Sequence, residues 1–175
     1  IKQERKEVTA ADLAAIRNSL ASFKGAKRRS EILGEVNGIL YMDEYGPHPT
    51  AIYKTLKGIH EFYPNRRIVA DFMSHTYSRT AALLDGFASA FSDADALILH
   101  KIYASAREDP AAAPVSGRDL FERAKSYRPR VFYFDEVADA EECALSELNS
   151  CDASAEGILF VTMGAGDNWK LGRTV

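Results

Sequence analysis

The chain is poor in cysteine: it has two, Cys143 and Cys151, among 175 residues. They do not form a Cys-x-x-Cys pair, which argues against a zinc site or a dithiol redox centre and makes reduced thiols in a cytoplasm the expectation. No apolar run approaches the ~20 residues that a membrane span needs, so no membrane partner is expected. The opening residues Ile1–Glu7 are charged and lack an apolar core, which speaks against a signal peptide. The missing initiator Met suggests a fragment or a processed chain. Positive charge is not in surplus either: the formal net charge is -3, so no nucleic-acid partner is expected. His48, His60, His75 and His100 fall at intervals that match no metal-ligand signature, and no metal site is expected in the chain. Finally, there is no Gly-x-x-x-x-Gly-Lys-[Ser/Thr] loop. Any ATP chemistry must therefore take its phosphate cradle from another domain.

What is present is an ordinary globular composition, 46% hydrophobic and 27% charged. A chain of this length suits one domain that buries roughly two-thirds of its unfolded surface. Leu13, Ile16, Leu20 and Phe23 recur at helical spacing behind a Thr9/Asp12 capping box, so a helix is expected from Thr9 to Phe23. Asn37-Gly38, between Glu31–Glu35 and Ile39–Met42, predicts a hairpin, because both turn residues tolerate positive φ. Ile52, Leu56, Ile59 and Phe62 predict a helix that ends at Tyr63-Pro64-Asn65. Strands are expected at Arg67–Phe72, Ala96–Leu99, Arg130–Phe134 and Gly157–Val161. Helices are expected on Leu83, Leu84, Phe87, Ala88 and Phe91, from the Ser116/Asp119 capping box through Lys125, and from Glu136 to Leu148. His100 to Pro114 reads as a long loop. Strands that alternate with helices and are apolar on both faces predict an α/β class: a Rossmann-like, mostly parallel sheet with helices on both faces, the hairpin adding one antiparallel strand. No repeat, low-complexity tract or linker divides residues 25–175, whereas residues 1–24 read as an interdomain connector with a helix.

In such a sheet, chemistry gathers beyond the carboxyl ends of the strands. That rule selects Asp43, Glu44, Tyr45 and His48; then the Ser74–Thr80 stretch with His75 and Arg79; then His100, Lys101, Tyr103, Ser105 and Arg107; and finally Thr162 to Asn168. Asp43 suits either a ligand contact or a cap on the following turn. His75 and Arg79 lie four apart around a helix start, where an arginine and free backbone N–H groups suit a carboxylate or phosphate, or else a solvated arginine and a capping serine. Gly164-Ala165-Gly166 fits a weak dinucleotide fingerprint, a tight turn or a close backbone approach. Lys27-Arg28-Arg29 reads more readily as a solvated turn than as a ligand clamp.

Four stretches in order, Phe23–Arg29, Asp43–Thr50, His75–Thr80 and Met163–Asp167, resemble the C-terminal domain of the Mur ligases, with the alanine-adding branch the most similar. The resemblance covers nearly the whole chain from Thr9. It implies a ligase with one domain for a UDP-sugar, a central P-loop domain for ATP and a C-terminal Rossmann-like domain that recruits the amino acid. This chain would be only the third. The implied reaction joins L-alanine to the lactyl carboxylate of UDP-N-acetylmuramate, with ATP and Mg2+, through an acyl-phosphate, in an early cytoplasmic step of peptidoglycan synthesis. By the same resemblance, Asp43 accepts hydrogen bonds from the ATP ribose and Arg29 lies near the nucleotide. Arg79 pairs with the L-alanine carboxylate, with Tyr45, His48 and His75 shaping its pocket. Gly164, Gly166 and Asp167 line the site, and no catalytic residue or metal ligand falls in this domain. Two residues depart from the family pattern: Pro47 replaces the first of two histidines, and Thr76 stands where arginine is frequent. Two other readings remain, a recycling ligase that adds a tripeptide to the same sugar nucleotide and a stand-alone Rossmann-like nucleotide-binding module.

Overall fold

The computed structural model describes residues 8–23, 25–150 and 156–175. The charged start Ile1–Glu7, Lys24 and the second cysteine, Cys151, lie outside the described residues. Helix α1 (Ala10–Ser22) opens with the expected reciprocal cap, the Thr9 hydroxyl accepting from the Asp12 amide and the Asp12 carboxylate accepting from the Thr9 amide. Among the described residues, nothing covers its apolar stripe. Leu13, Ile16, Leu20 and Phe23 are exposed, and the helix buries none of its residues.

The hairpin forms as expected. Strand β1 (Glu31–Val36) pairs antiparallel with β2 (Ile39–Glu44), with Val36 opposite Ile39. Asn37 and Gly38 take φ of 52° and 78°, the left-handed pair that a two-residue turn matched to strand twist requires. The other strands are β3 (Arg67–Met73), β4 (Ala96–His100), β5 (Val131–Phe134) and β6 (Ile158–Gly164). They form one sheet in the order β1-β2-β6-β3-β4-β5, and every pair except β1–β2 is parallel. The class expected from sequence is the class observed.

Helices α2 (Pro49–Phe62), α4 (Leu84–Ser89) and α5 (Gly117–Ala124) cover one face. There Phe72 packs between Phe87 and Phe91, with ring centroids 5.6 and 5.2 Å away. Helices α6 (Glu141–Asn149) and α7 (Leu171–Thr174) cover the other face over Val69, Ile98 and Phe160. Each of these fully buried side chains contributes about 1.5–3 kcal/mol of transfer free energy, which is why the sheet strands read as apolar on both faces.

Several expected boundaries move, each for a local reason. The helix expected on Leu83 to Phe91 is the shorter α4, and a separate helix not expected there, α3 (Tyr77–Ala82), precedes it across a break at Leu83, where φ is -124° and ψ is 24°. Phe62, expected on the buried stripe of α2, is the last residue of that helix and is 77% exposed, its ring lying against Tyr63. The helix expected from Glu136 begins as a 3-10 turn, Val137–Ala140, before α6. The long loop after β4 contains a 3-10 turn at Pro110–Ala112. Strand β6 runs on through Thr162, Met163 and Gly164, residues that sequence assigned to a loop, because it lies between β2 and β3 and pairs with both.

Candidate functional site

The carboxyl ends of β2, β6 and β3 lie side by side. In register, Asp43 faces Thr162 and Thr162 faces Asp71, and one step further Glu44 lies level with Met163 and Phe72. Strands two places apart are about 10 Å apart, so the β2 and β3 rims can touch one small ligand.

At the β2 rim, Asp43 is 5% exposed and already has two partners. Thr162 donates to its Oδ1 at 3.0 Å, and Arg28 donates from Nε to its Oδ2 at 2.9 Å. Arg28 also donates from Nη2 to the Gly164 carbonyl at 2.9 Å, tying the basic turn to the ends of β2 and β6. The alternative of Asp43 as a turn cap is not what forms. The cap of α2 is His48, whose Nδ1 accepts from the Thr50 amide at 3.2 Å. Arg28 and Ser30 hold left-handed backbone, φ 55° and 47°, a conformation that costs of order 1–3 kcal/mol for a non-glycine residue. Hydrogen bonds offset it. The Arg28 and Ser30 amides donate to the Glu31 and Glu44 carboxylates, and the Tyr45 amide donates to the Arg28 carbonyl.

The basic turn is therefore divided in role. Arg28 is a half-buried structural cation, whereas the Arg29 side chain is 60% exposed. Arg29 lies 3.9 Å from Glu44 Oε1, with its guanidinium 5.2 Å from the Tyr45 ring centroid. It is free to reach a ligand, while Glu44 and Tyr45 restrict where it points. A groove of about 260 Å³ runs on the Arg28 side of the turn, its lining including Lys27, Arg28, Glu31, Asp43, Trp169 and Arg173. A larger cleft, about 610 Å³, lies around Asn37, Ile39 and Leu145 at the other end of β2, and its walls mix aliphatic with polar groups without gathering the charged residues of the rim. Chemistry, not concavity, locates the site.

At the β3 rim the turn Ser74–Tyr77 carries His75 and leads into α3 with Arg79. Thr76 has φ 68° and ψ 133°, another costly backbone for a β-branched residue. It is held from outside: the Thr76 amide donates to the Tyr103 carbonyl at 3.1 Å, and the Tyr103 amide donates to the Ser74 carbonyl at 2.9 Å. The His75 and Tyr103 rings lie 5.9 Å apart. The free amides expected at the start of α3 are in use. Those of Tyr77 and Ser78 donate to Glu108, each at 3.0 Å, and the Ser78 hydroxyl donates to Glu108 Oε1 at 2.7 Å. The Ser78 hydroxyl and these amides hold the Glu108 carboxyl down to about 2. Arg79 is half-buried and forms no ion pair among the described residues.

The glycines at the end of β6 allow a close approach. At Gly164, with φ 111°, a Cβ would lie 2.1 Å from the Met73 carbonyl oxygen, and at Gly166 it would lie 2.0 Å from Met73 Sδ. Close approach is thus a sufficient reason for both, and only short helical turns follow them. Asp167 is half-buried and accepts from Lys170 Nζ at 2.9 Å.

His100 is corrected. Expected beyond its strand, it is the last residue of β4 and is 1% exposed. Its Nε2 lies 2.6 Å from Asp71 Oδ1, and its Nδ1 lies 3.1 Å from the Phe134 carbonyl. Both ring nitrogens face acceptors, an arrangement that suits the imidazolium. Burial opposes that charge, but Asp71 and the Phe134 carbonyl outweigh it and raise the pKa above its usual value. Asn168 completes the network, its Nδ2 donating to Asp71 Oδ2 at 2.8 Å and to the Met163 carbonyl at 2.9 Å. Sequence reasoning missed Asp71 inside an apolar strand. The lone carboxylate in that run was the available signal. Lys101 pairs with Glu136 at the exposed surface.

The family model described as Mur ligase, glutamate ligase domain matches residues 28–166. The chain belongs to this family. Among relatives of the Mur ligase domain, the UDP-N-acetylmuramate–L-alanine ligase of Treponema pallidum is 56% identical over 175 residues, 100% of this chain and 35% of that protein. The enzyme of the same name from Borreliella burgdorferi is 42% identical over 157 residues, 90% of this chain and 32% of that protein. The chain therefore spans about a third of the length of the curated relatives it matches. Among solved structures, the Thermotoga maritima UDP-N-acetylmuramate–alanine ligase superposes with TM-score 0.68 at 23% identity, over 93% of this chain and 32% of that one. A folylpolyglutamate synthase of Mycobacterium tuberculosis, solved with ADP and AMPPCP, superposes with TM-score 0.66 at 17% identity, over 92% of this chain and 34% of that one. These two likenesses concern the Mur ligase domain fold alone.

Proposed function

We propose that the chain is the C-terminal domain of a cytoplasmic, ATP-dependent ligase that joins L-alanine to UDP-N-acetylmuramate. The observation that carries this reading is the 56% identity to the alanine ligase of Treponema pallidum, which extends over the whole chain. Residues 1–24 then connect to the central domain, and the UDP-sugar site, the ATP phosphate cradle and Mg2+ belong to the parts of the ligase outside this chain. ATP supplies the phosphoryl group that activates the sugar carboxylate.

This chain's own residues supply binding and orientation. Arg79 would meet the alanine carboxylate, since a planar guanidinium binds a carboxylate through two parallel hydrogen bonds. His75 and Tyr45, with His48 at the start of α2, would wall the methyl pocket, where one methylene is worth about 1–3 kcal/mol of discrimination. Fixing the carboxylate aims the amine at the activated carbonyl and removes translational freedom from the step. Arg29 would lie against the nucleotide. Asp43 has one donor on each oxygen and keeps lone pairs that can accept from ribose hydroxyls. Gly164, Gly166 and Asp167 would line the floor between the two rims.

The fold alone does not separate the alanine reading from the tripeptide reading, because a murein peptide ligase of Psychrobacter arcticus also superposes, with TM-score 0.60. The test is a phosphate-release assay of the full-length ligase with UDP-N-acetylmuramate, ATP and either acceptor. Turnover with L-alanine is expected, whereas turnover with a tripeptide and none with alanine overturns the proposal.

A further inference from the structure

We propose that Glu108 is a positioning residue for the amino-acid subsite, latching the loop after β4 to the start of α3 and so setting the direction in which Arg79 presents its guanidinium. The inference rests on the role proposed above for Arg79.

The reasoning starts from what α3 lacks. It has six residues, far fewer than a helix needs to persist without support. Its N-cap, Thr76, makes no side-chain capping bond and holds a left-handed φ of 68°. At its other end the break at Leu83 separates it from α4, and within it only Thr80 is buried. The sequence of α3 therefore supplies little to fix its axis.

The support comes from residues 103–108. Tyr103 exchanges backbone hydrogen bonds with Ser74 and Thr76 on one side of the turn. On the other side the Glu108 carboxylate receives the Tyr77 amide, the Ser78 amide and the Ser78 hydroxyl. The two attachments flank the turn between His75 and Arg79. A carboxylate at this place also satisfies first-turn amides that would otherwise lack partners and complements the positive end of the helix. Since Glu108 fills that amide cradle, the chain offers Arg79, not the helix start, to an incoming carboxylate. Losing the latch would let α3 rotate and take Arg79 out of line, while the β2 rim with Arg29 and Asp43 stayed in place.

The test uses the full-length ligase carrying Glu108→Gln or Glu108→Asp, with KM measured for each of the three substrates and amide hydrogen exchange followed at Tyr77 and Ser78. For Glu108→Gln the amino-acid KM should rise about tenfold, the scale of a reacting group displaced by a fraction of an ångström. The KM values for ATP and the UDP-sugar should stay within about twofold, and exchange should speed up at Tyr77 and Ser78 but not along α2. Glu108→Asp, which keeps the charge, should recover part of the amino-acid KM. An unchanged amino-acid KM, equal rises in all three KM values, or unchanged exchange at the two amides would overturn the latch. If the wild-type enzyme turns over a different acceptor, the alanine reading falls, and the latch is judged on the KM for that acceptor and on the exchange at the two amides.

Discussion

Asp71→Asn removes the charge that faces His100 while leaving the volume almost unchanged, so it isolates the electrostatics of the buried pair. Both side chains are fully buried, and among the described residues the His100 ring nitrogens face Asp71 and the Phe134 carbonyl. Removing one partner of a buried pair costs about 3–5 kcal/mol, a large part of the ~5–15 kcal/mol that keeps a domain folded. The cost must also depend on pH. In the native chain the His100 pKa is raised, so its contribution is fully present below the unfolded value, about 6.5, and is lost as pH rises through the folded value. Without Asp71, burial, the largest influence on the ring, is opposed only by the Phe134 carbonyl and the more distant Asp167, and that dependence should weaken, disappear or reverse. Urea denaturation of the 175-residue chain should therefore show a gap between native and variant that is widest near pH 6 and narrows towards pH 9, with a slope of at most about 1.4 kcal/mol per pH unit. A gap below about 1 kcal/mol at pH 6, or one that does not change with pH, would refute the charged pair.

Two further expectations follow from the same rim. Gly164→Ala places a Cβ 2.1 Å from the Met73 carbonyl and demands φ 111° of an alanine, so urea denaturation should show a loss of about 1–3 kcal/mol or more; a neutral change would contradict the close packing of β6 on β3. The isolated chain, lacking a phosphate cradle, should bind ATP weakly by calorimetry, and micromolar affinity would favour the stand-alone nucleotide-binding reading.

The sheet was legible because the core on each face is large enough to demand strands apolar on both sides, and because Asn37-Gly38 fixes the hairpin register by backbone geometry. What was lost was non-local. Strand β6 was cut short in sequence because Thr162-Met163-Gly164 resembles a loop until β2 and β3 are seen to pair with it. The α1 stripe of Leu13, Ile16 and Leu20 predicts a helix correctly, yet periodicity does not report whether a partner covers it. At the site, the rule of strand ends brought Asp43, Tyr45, His75 and Arg79 to one edge of the sheet. It also selected His100, which the fold buries in a hydrogen bond with Asp71. Glu108 was invisible because its value lies in amides some thirty residues away in sequence. Arg28 and Arg29, adjacent in sequence, differ in role because Arg28, on a left-handed backbone, reaches Asp43 and Gly164, while the Arg29 side chain stays exposed.

The central claim is that Arg79 holds the carboxylate of the incoming amino acid on a wall separate from the nucleotide contacts. The most direct measurement is the pair of KM values for alanine and ATP in the full-length ligase carrying Arg79→Ala. Loss of a charge-assisted pair worth about 1.5–3 kcal/mol predicts an alanine KM roughly tenfold to a hundredfold higher with the ATP KM unchanged. Equal changes in both, or an unaltered alanine KM, would contradict the account.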